Sequence, residues 1–356
     1  MSLYRECDRS VDLLLQALPN CQGRVLIVAD ENWSNTDWTE VGRTLHCSIE
    51  AISNRIDIAT NALNASVSCH FNDFDFSALA AANYDTVLYR VSKERATSHY
   101  IINQIALGLL KPRGTLIISG AKNDGLKSYL KQSCRLFGDV THAVKHGACY
   151  RASITLNSLA DQPLEDKNYP STRLLQSLAQ GRYCSKPGIF GWDKIDRGSA
   201  FLIDHLSIFL TTFAQPPKSL LDLGCGYGYL ACEASKHIFS EIVGSDNNAA
   251  ALIACKENFS RMLTVKNCVI AADAGAQIDQ HFELVLCNPP FHAGFVIDNR
   301  LGIKFLHNTQ RLLSASGRAL FVVNRFVALE KHANDYFKRV EVVADNGAYK
   351  LVALSQ

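Results

Sequence analysis

The run Asn288-Pro289-Pro290-Phe291 carries groups suited to chemistry on an amine attached to a planar ring. Two successive prolines mark the end of a strand. Asn288 offers a side-chain carbonyl and Pro289 a backbone carbonyl, and both can accept hydrogen bonds from one exocyclic NH₂ group. Because the lone pair of an aromatic amine is delocalised, two such acceptors would turn it towards an electrophile while Phe291 stacks on the ring. The motif therefore predicts group transfer to an amine, driven by positioning and preorganised dipoles.

A glycine-rich loop precedes this motif, with Gly224, Gly226 and Gly228 at alternate positions. Glycine permits positive φ angles and lets a ligand approach the backbone closely. In the G-x-G-x-x-G loop of dinucleotide sites the third glycine comes one residue later. Asp222, at the end of the strand before the loop, would repel a pyrophosphate but suit a cationic ligand. The loop thus predicts a cofactor site at the carboxyl end of a strand.

Two further acidic residues end the next two predicted strands. Asp246 is placed to accept hydrogen bonds from ribose hydroxyls, and Asp273 from an adenine amine. The glycine loop and these two carboxylates resemble those of the class I S-adenosylmethionine-dependent methyltransferases. The Asn-Pro-Pro-aromatic run resembles motif IV of the amino-methyltransferases. The resemblance implies S-adenosylmethionine as cofactor, with the acceptor amine left open among adenine N6, cytosine N4, guanine N2 and a protein glutamine amide.

Strands and helices alternate in the second half, which predicts a mostly parallel sheet built from βαβ units. A helix is predicted at Asn299–Leu313. Near the end of the chain, a turn at Asp345–Ala348 is predicted to join the last two strands as a hairpin. The predicted strands are Ser219–Gly224, Glu241–Asp246, Asn267–Asp273, Phe282–Cys287, Arg318–Asn324, Arg339–Ala344 and Tyr349–Ser355. A seven-stranded sheet with a terminal antiparallel hairpin follows.

The first half repeats the second at an offset of about 200 residues. The run Tyr84–Tyr89 matches Phe282–Cys287, and Leu110–Ile118 matches Leu313–Phe321. The first half lacks both the glycine loop and the Asn-Pro-Pro run, so we expect it to bind no cofactor. The fold class is therefore α/β, with two tandem Rossmann-like methyltransferase domains, the first degenerate. The predicted boundaries are 1–157 for the degenerate domain, 158–170 for a linker and 171–356 for the catalytic domain.

One basic block stands out in an otherwise balanced chain of net charge +2. Residues 111–151 hold eight Lys and Arg against two Asp and Glu. Lys127, Lys131 and Arg135 recur at helical spacing within a helix predicted over Asn123–Phe137, which places them on one face. They are the candidate RNA-binding residues. The alternative is a solvated helix face, with the first half serving as a folding partner.

Three features of the chain together resemble the bacterial ribosomal RNA guanine-N2 methyltransferases: the stretch Lys186–Ser199, the degenerate first half and the Asn-Pro-Pro-Phe run. Within that family the resemblance is closest to the RsmC type, which acts on 16S RNA of the small subunit. This implies methyl transfer to the N2 amine of one guanosine, rotated out of its stack. It also implies that Phe190 and Asp196 flank the cofactor. The large-subunit 23S (RlmG) type shares this layout and stays open, as do a protein-glutamine methyltransferase and a non-catalytic RNA-binding factor.

Composition argues against metal-binding, disulfide-bonded, membrane-spanning and secreted classes of protein. The twelve cysteines form no C-x-x-C pair, so we expect no metal site and reduced thiols in the cytoplasm. No apolar run approaches the length of a membrane span, and the charged N-terminus does not favour a secretory signal. We expect a cytoplasmic monomer that partners the small ribosomal subunit.

Overall fold

The chain divides into two compact units, Met1–Ser171 and Thr172–Gln356. The computed structural model describes residues 8–79, 81, 83–175, 182–290, 292, 293, 296, 297 and 299–356, with the backbone alone described at 292, 293, 296, 297, 299 and 300. The predicted Phe291 therefore lies outside the described residues.

A seven-stranded sheet forms the centre of the first unit. Its strands are β1 Gly23–Ala29, β2 Cys47–Ser53, β3 Ser68–Phe71, β4 Tyr84–Arg90, β5 Leu110–Ala121, β6 Val144–His146 and β7 Cys149–Thr155. The sheet has the order β3-β2-β1-β4-β5-β7-β6, and β7 is antiparallel to both β5 and β6. Its α-helices are α1 Arg9–Leu15, α2 Trp38–Gly42, α3 Ile56–Asn64, α4 Arg95–Gln104 and α5 Leu126–Phe137.

The second unit contains a sheet of the same topology. Two short strands, β8 Arg173–Leu174 and β9 Cys184–Ser185, form a separate antiparallel ribbon before it. The strands of the main sheet are β10 Ser219–Leu223, β11 Glu241–Asp246, β12 Lys266–Ala271, β13 Phe282–Cys287, β16 Leu313–Asn324, β17 Arg339–Asp345 and β18 Tyr349–Ser355. Between β13 and β16, the strands β14 His292–Ala293 and β15 Val296–Ile297 form a second small ribbon. Their order is β12-β11-β10-β13-β16-β18-β17.

The described residues of this unit form five α-helices around the second sheet. They are α6 Arg197–Leu210, α7 Tyr229–Ala234, α8 Ala249–Met262, α9 Asn299–Leu312 and α10 Leu329–Ala333. Side chains fix the starts of two of them: Asp196 accepts from the Ser199 N–H at the start of α6, and Asn248 accepts from the Ala250 N–H at the start of α8. Such N-caps satisfy backbone donors that the helix leaves without partners.

The central strands are buried on both faces, which suits their short continuous apolar sequences. In β10, Leu220 packs in one apolar cluster, whereas Leu221 and Leu223 pack in another. In β1, Leu26 and Val28 likewise join a different cluster from their neighbours. Alternate side chains of a strand point to opposite faces, so each sheet is covered by an apolar layer on both sides.

The two sheets share even an irregularity. The pairing of β4 with β5 shifts register between Tyr84 and Thr86, and that of β13 with β16 shifts between Phe282 and Leu284. In each unit, a glycine that another part of the backbone approaches closely follows in the longer strand. A Cβ on Gly114 would lie 2.9 Å from the Lys111 carbonyl oxygen, and the second unit holds Gly317 in the matching place. The predicted fold class of two tandem Rossmann-like units is therefore confirmed.

The segment predicted as a linker, 158–170, packs against the first unit. Tyr169 is fully buried, stacks on Tyr100 at 5.0 Å between ring centroids and donates to Asp73 at 2.7 Å. Asn103 of α4 exchanges two hydrogen bonds with the backbone of Leu164, each of 2.8 Å. The segment predicted as a linker is thus held to its own unit, largely by polar contacts.

Replacing Tyr169 with Ala should destabilise the first unit by about 3–5 kcal/mol, the usual cost of removing a buried aromatic side chain. Urea unfolding followed by tryptophan fluorescence would measure this, because Trp33 and Trp38 are both buried in that unit. All variants would carry Trp192→Phe to leave only those two reporters. Leu159→Ala, an exposed position in the same segment, is the control. Equal unfolding midpoints for the two variants would contradict the packing described here.

Candidate active site

The glycine loop connects β10 to α7 at the carboxyl edge of the second sheet. Gly224, Gly226 and Gly228 have φ angles of +78°, +54° and +85°, a region that disfavours other residues. A Cβ on Gly228 would lie 2.9 Å from the Sγ of Cys255, whereas one on Gly226 would meet only Ile189, at 3.9 Å. Gly228 is thus required by packing. Gly226 leaves an open stretch of backbone of the kind that a bound cofactor can approach.

Asp222 lies beneath this loop. Its side chain is fully buried, and its Oδ2 accepts from the Ala231 N–H of α7 at 2.9 Å. No hydrogen-bond partner for its Oδ1 occurs among the described residues. Burial, reinforced by the charge of Asp246, raises the pKa of Asp222 to about 7. The residue therefore ties the loop to the following helix from below, and its carboxyl group is held near the midpoint of its titration at neutral pH.

Asp246, at the end of β11, also holds the loop. Its Oδ2 accepts from the Gly226 N–H at 2.9 Å, and its Oδ1 accepts from the Asn248 N–H at 2.9 Å. Asn248 in turn donates to the Gly188 carbonyl oxygen at 2.8 Å. These contacts place the Asp246 carboxylate against the open backbone at Gly226, at the carboxyl end of β11.

Asp273 follows β12 and carries a partner that sequence reasoning missed. Its side chain forms an ion pair with Lys304 of α9, and its backbone N–H donates to Gln277 at 2.8 Å. The predicted contact to an adenine amine would therefore share this carboxylate with an ammonium group. Nothing in the local sequence of Asp273 signals Lys304, which arrives from a helix 31 residues later.

The segment before α6 lies against the glycine loop. Ile189 is buried next to Gly226, and the hydroxyl of Tyr227 donates to the Lys194 carbonyl oxygen at 3.3 Å. Phe190, predicted to flank the cofactor, is 78% exposed. An aromatic ring at this level of exposure beside an open loop is available to a ligand.

Asn288 follows β13, which pairs in parallel with β10 so that Cys287 lies opposite Leu223. The Asn288 side chain and the glycine loop therefore emerge side by side. The Asn288 amide nitrogen donates to the Oδ2 of Asp196 and to the Oγ of Ser199, both at 2.8 Å. Both of its donors are engaged, which leaves its carbonyl oxygen for another molecule. Of the prolines that follow, Pro289 is buried and Pro290 is exposed.

Asp196 was predicted to flank the cofactor. The structure shows in addition that its carboxylate is hydrogen-bonded to the Asn288 amide, which was not predicted. Ser199 was not predicted at all. An aspartate directly before a helix is an N-cap signal, so the capping role of Asp196 was available in the sequence, whereas its contact with Asn288 was not.

An internal ion cluster takes up the corresponding position of the first unit. Arg90, the counterpart of Asn288 at the end of β4, contacts Asp124 at 2.8 Å and Asp8 at 3.2 Å. Burial alone would lower the pKa of Arg90, but Asp8, Asp30 and Asp124 raise it further than burial lowers it. Asp30, where the second unit has its glycine loop, has its pKa raised to about 7, chiefly by burial and then by Glu31.

The three basic residues predicted to bind RNA lie on α5. Lys127, Lys131 and Arg135 are all exposed, as the helical spacing requires. The Lys127 ammonium lies over the ring of Tyr150 at 5.2 Å from its centroid. The helix begins after Gly125, whose φ of +84° separates it from a short turn of 3₁₀ helix at Lys122–Asp124.

Comparison with known proteins places the chain in a family. Residues 180–353 match the family model "Methyltransferase small domain". The chain is 30% identical over 273 residues to "Ribosomal RNA small subunit methyltransferase C" of Shewanella pealeana, covering 75% of this chain and 76% of that protein. The chain belongs to the ribosomal RNA small subunit methyltransferase C family. The protein of that name from Shewanella loihica is 28% identical over 299 residues, covering 82% of both chains.

A solved structure agrees in fold with this family member. It is the 16S rRNA N2 methyltransferase RsmC of T. thermophilus, in complex with AdoMet and guanosine. The TM-score is 0.81 at 20% identity, with 98% of this chain and 92% of that chain covered. The similarity extends over both units, so the two-unit architecture is that of the family.

Two kinds of feature are absent from the described residues. They contain no cluster of three or more His, Cys, Asp or Glu side chains that could hold a metal ion. None of their helices combines the length and apolarity needed to cross a membrane.

Asp222→Asn should change how stability depends on pH. Because the folded pKa is about 7 against an ordinary 3.8, the unfolded carboxyl ionises first as pH rises, and the fold loses stability across that interval. The isosteric amide should remove this loss, so the variant should gain stability relative to wild type between pH 4 and 7.

Urea midpoints over this pH range would measure the effect as a difference curve, in which the titrations shared by both proteins cancel. Asp204→Asn, at an exposed position of α6, is the control. Parallel curves for Asp222→Asn and wild type would show that Asp222 is ionised in the fold throughout.

Proposed function

We propose that this family member transfers a methyl group from S-adenosylmethionine to the N2 amine of a guanosine in 16S rRNA of the small ribosomal subunit. The observation that carries the proposal is the Asn288 amide, which has both N–H donors bound and its carbonyl oxygen left for an acceptor role, at the end of the strand beside the glycine loop. That arrangement suits an amine that must donate.

The residues of the loop fit the cofactor. Gly226 offers open backbone, the Asp246 carboxylate lies against that backbone, and Phe190, which follows the buried Ile189 beside Gly226, is exposed. When bound, S-adenosylmethionine supplies an electrophilic methyl group on a sulfonium. The chain's own part is to orient the acceptor: the Asn288 side-chain carbonyl and the Pro289 backbone carbonyl accept from the amine and direct its lone pair towards the methyl group. Catalysis then rests on alignment and fixed dipoles.

The substrate follows from the relatives. The named relatives act on the small subunit, and the solved RsmC structure contains guanosine, which supports guanine N2 in 16S rRNA. The proposal includes a monomer that works in the cytoplasm, where ribosomal subunits are found. Transfer to 23S rRNA or to a protein glutamine would be alternative outcomes of the same assay.

Labelled methyl transfer tests the proposal. Small subunits, large subunits and free rRNA, all from cells that lack the enzyme, would be incubated with the protein and labelled cofactor, then digested to nucleosides. We expect label in N2-methylguanosine from 16S rRNA. Asn288→Ala should bind cofactor normally and lose about 100-fold or more in rate, as for loss of a preorganised transition-state contact. Label in large subunits alone, or wild-type turnover by Asn288→Ala, would overturn the substrate or the mechanism.

Asp246→Ala should weaken cofactor binding by about 1–3 kcal/mol, because a charged hydrogen-bond partner is lost and the loop loses its tie to Gly226. Calorimetric titration with S-adenosylhomocysteine would measure the change. Glu241→Gln, at the opposite end of the same strand, is the matched control. Unchanged affinity in Asp246→Ala would mean that another carboxylate binds the ribose.

Exchange of Lys127, Lys131 and Arg135 for Ala should weaken binding of small subunits or 16S rRNA without changing cofactor affinity. If each residue meets a phosphate, the slope of log affinity against log salt should fall by about 1 per residue. The affinity would be measured by filter binding over a series of salt concentrations.

The control for this triple variant removes the same charge from exposed lysines of the second unit: Lys256, Lys331 and Lys338. Equal affinities for the two triple variants at every salt concentration would leave the first unit as a folding partner only.

A further inference from the structure

We propose that Asp196, assisted by Ser199, is a positioning residue that turns the Asn288 amide so that its carbonyl oxygen, and not its NH₂ group, faces the guanine amine. The inference rests on the proposed function and specifies how its central contact is oriented. It gives Asp196 a task in the methyl-transfer step that is separate from binding the cofactor.

The orientation of the amide decides whether the site works. An asparagine amide has nearly the same shape when it is rotated by half a turn, but its donors and acceptor then exchange places. An exocyclic amine donates two hydrogen bonds and needs acceptors. If the NH₂ group of Asn288 pointed towards it, donor would face donor, and the lone pair would not be directed towards the methyl group.

Asp196 removes this ambiguity because an ionised carboxylate can only accept. The Asn288 atom that lies 2.8 Å from the Asp196 Oδ2 must therefore be the nitrogen. The Ser199 hydroxyl oxygen, also 2.8 Å from that nitrogen, is available for the second N–H. Both donors are then fixed on the side of α6, and the carbonyl oxygen is directed away from them.

Asp196 is itself held firmly. The same Oδ2 accepts from the Ser199 N–H at 2.8 Å and so caps α6. A neighbouring Cβ at Gly198 would lie 3.0 Å from that oxygen, so a larger residue there would press on the carboxylate. The carboxylate that orients the Asn288 amide is thus fixed at the start of a 14-residue helix.

The first unit contains the same contact with different chemistry. Asp8 caps α1 through the Ser10 and Val11 N–H groups, and its other oxygen accepts from Arg90 at the end of β4 at 3.2 Å. In both units, a carboxylate at a helix start faces a nitrogen donor at the end of the fourth strand. This contact is therefore a feature of the fold that the two units share, and in the second unit it orients an amide.

Asp196→Asn tests the proposal with little disturbance of the fold. Asparagine caps helices as well as aspartate does, so the melting temperature should not change. The new amide can donate as well as accept, so it no longer dictates which way Asn288 turns. We expect kcat to fall by about 10- to 100-fold, with the Kd for S-adenosylhomocysteine and the KM for small subunits unchanged.

A double variant shows whether Asp196 acts through Asn288. In an Asn288→Ala background, Asp196→Asn should cause no further loss of kcat, because the group that it orients is gone. An additive loss, or a weaker Kd for the cofactor analogue with unchanged kcat, would overturn the proposal and make Asp196 a cofactor-binding residue.

If Asp196→Asn lowers the melting temperature, Ser199→Ala takes its place. It keeps the backbone cap, removes one partner of the amide and should lower kcat several-fold, and wild-type kcat in that variant would also overturn the proposal.

The side-chain amide signals of Asn288 give a readout that does not require activity. They are the ¹⁵N–¹H pair missing from the spectrum of Asn288→Ala. In the wild type both protons should exchange slowly with solvent, and in Asp196→Asn exchange should quicken. Slow exchange together with no methyl transfer to any RNA would refute the proposed function but not the orientation of the amide. Equal exchange in wild type and Asp196→Asn would refute the orientation itself.

Discussion

The parallel pairing of β10 with β13 is the constraint on which the site depends. It sets Leu223 opposite Cys287, so the chain leaves the sheet at Gly224 and at Asn288 from neighbouring strands. Crossover connections in α/β sheets bring the carboxyl ends of all parallel strands to one edge, and there β11 adds Asp246. The glycine loop and the Asn-Pro-Pro run, far apart in sequence, become neighbours through this register.

Around that edge, carboxylates order the loop before any ligand arrives. Asp222 holds the start of α7 through the Ala231 N–H, and Asp246 holds the Gly226 N–H. The conformational entropy lost in fixing the glycine loop is therefore offset during folding and not during binding. The arrangement costs stability at Asp222, where a buried carboxyl has one oxygen without a partner among the described residues. Such a local deficit is common where a site is shaped for function.

Sequence patterns predicted the elements with strong apolar runs and failed where the signal was tertiary. The bounds of β11, β13 and β18 agree to the residue, because each contains a short apolar run flanked by polar or turn residues. β2 and β3 were missed, since β3 and the first half of β2 are only partly buried and their polar residues do not alternate strictly. Within the site, the Asn-Pro-Pro run was recognisable, whereas the contacts of Asp196 with Asn288 and of Asp273 with Lys304 join distant segments that no local pattern connects.

The ion cluster at the end of β4 bears on the history of the first unit. Arg90 is buried between Asp8 and Asp124, so exchanging it alone for an uncharged residue would deprive a buried carboxylate of its close counter-charge, at a cost of about 3–5 kcal/mol. Restoring an asparagine there would also require changes at the acidic partners, and a glycine loop after β1 would have to replace Asp30. A stability barrier therefore separates the first unit from a catalytic site of this kind, because the changes at Arg90, its acidic partners and Asp30 would have to occur together.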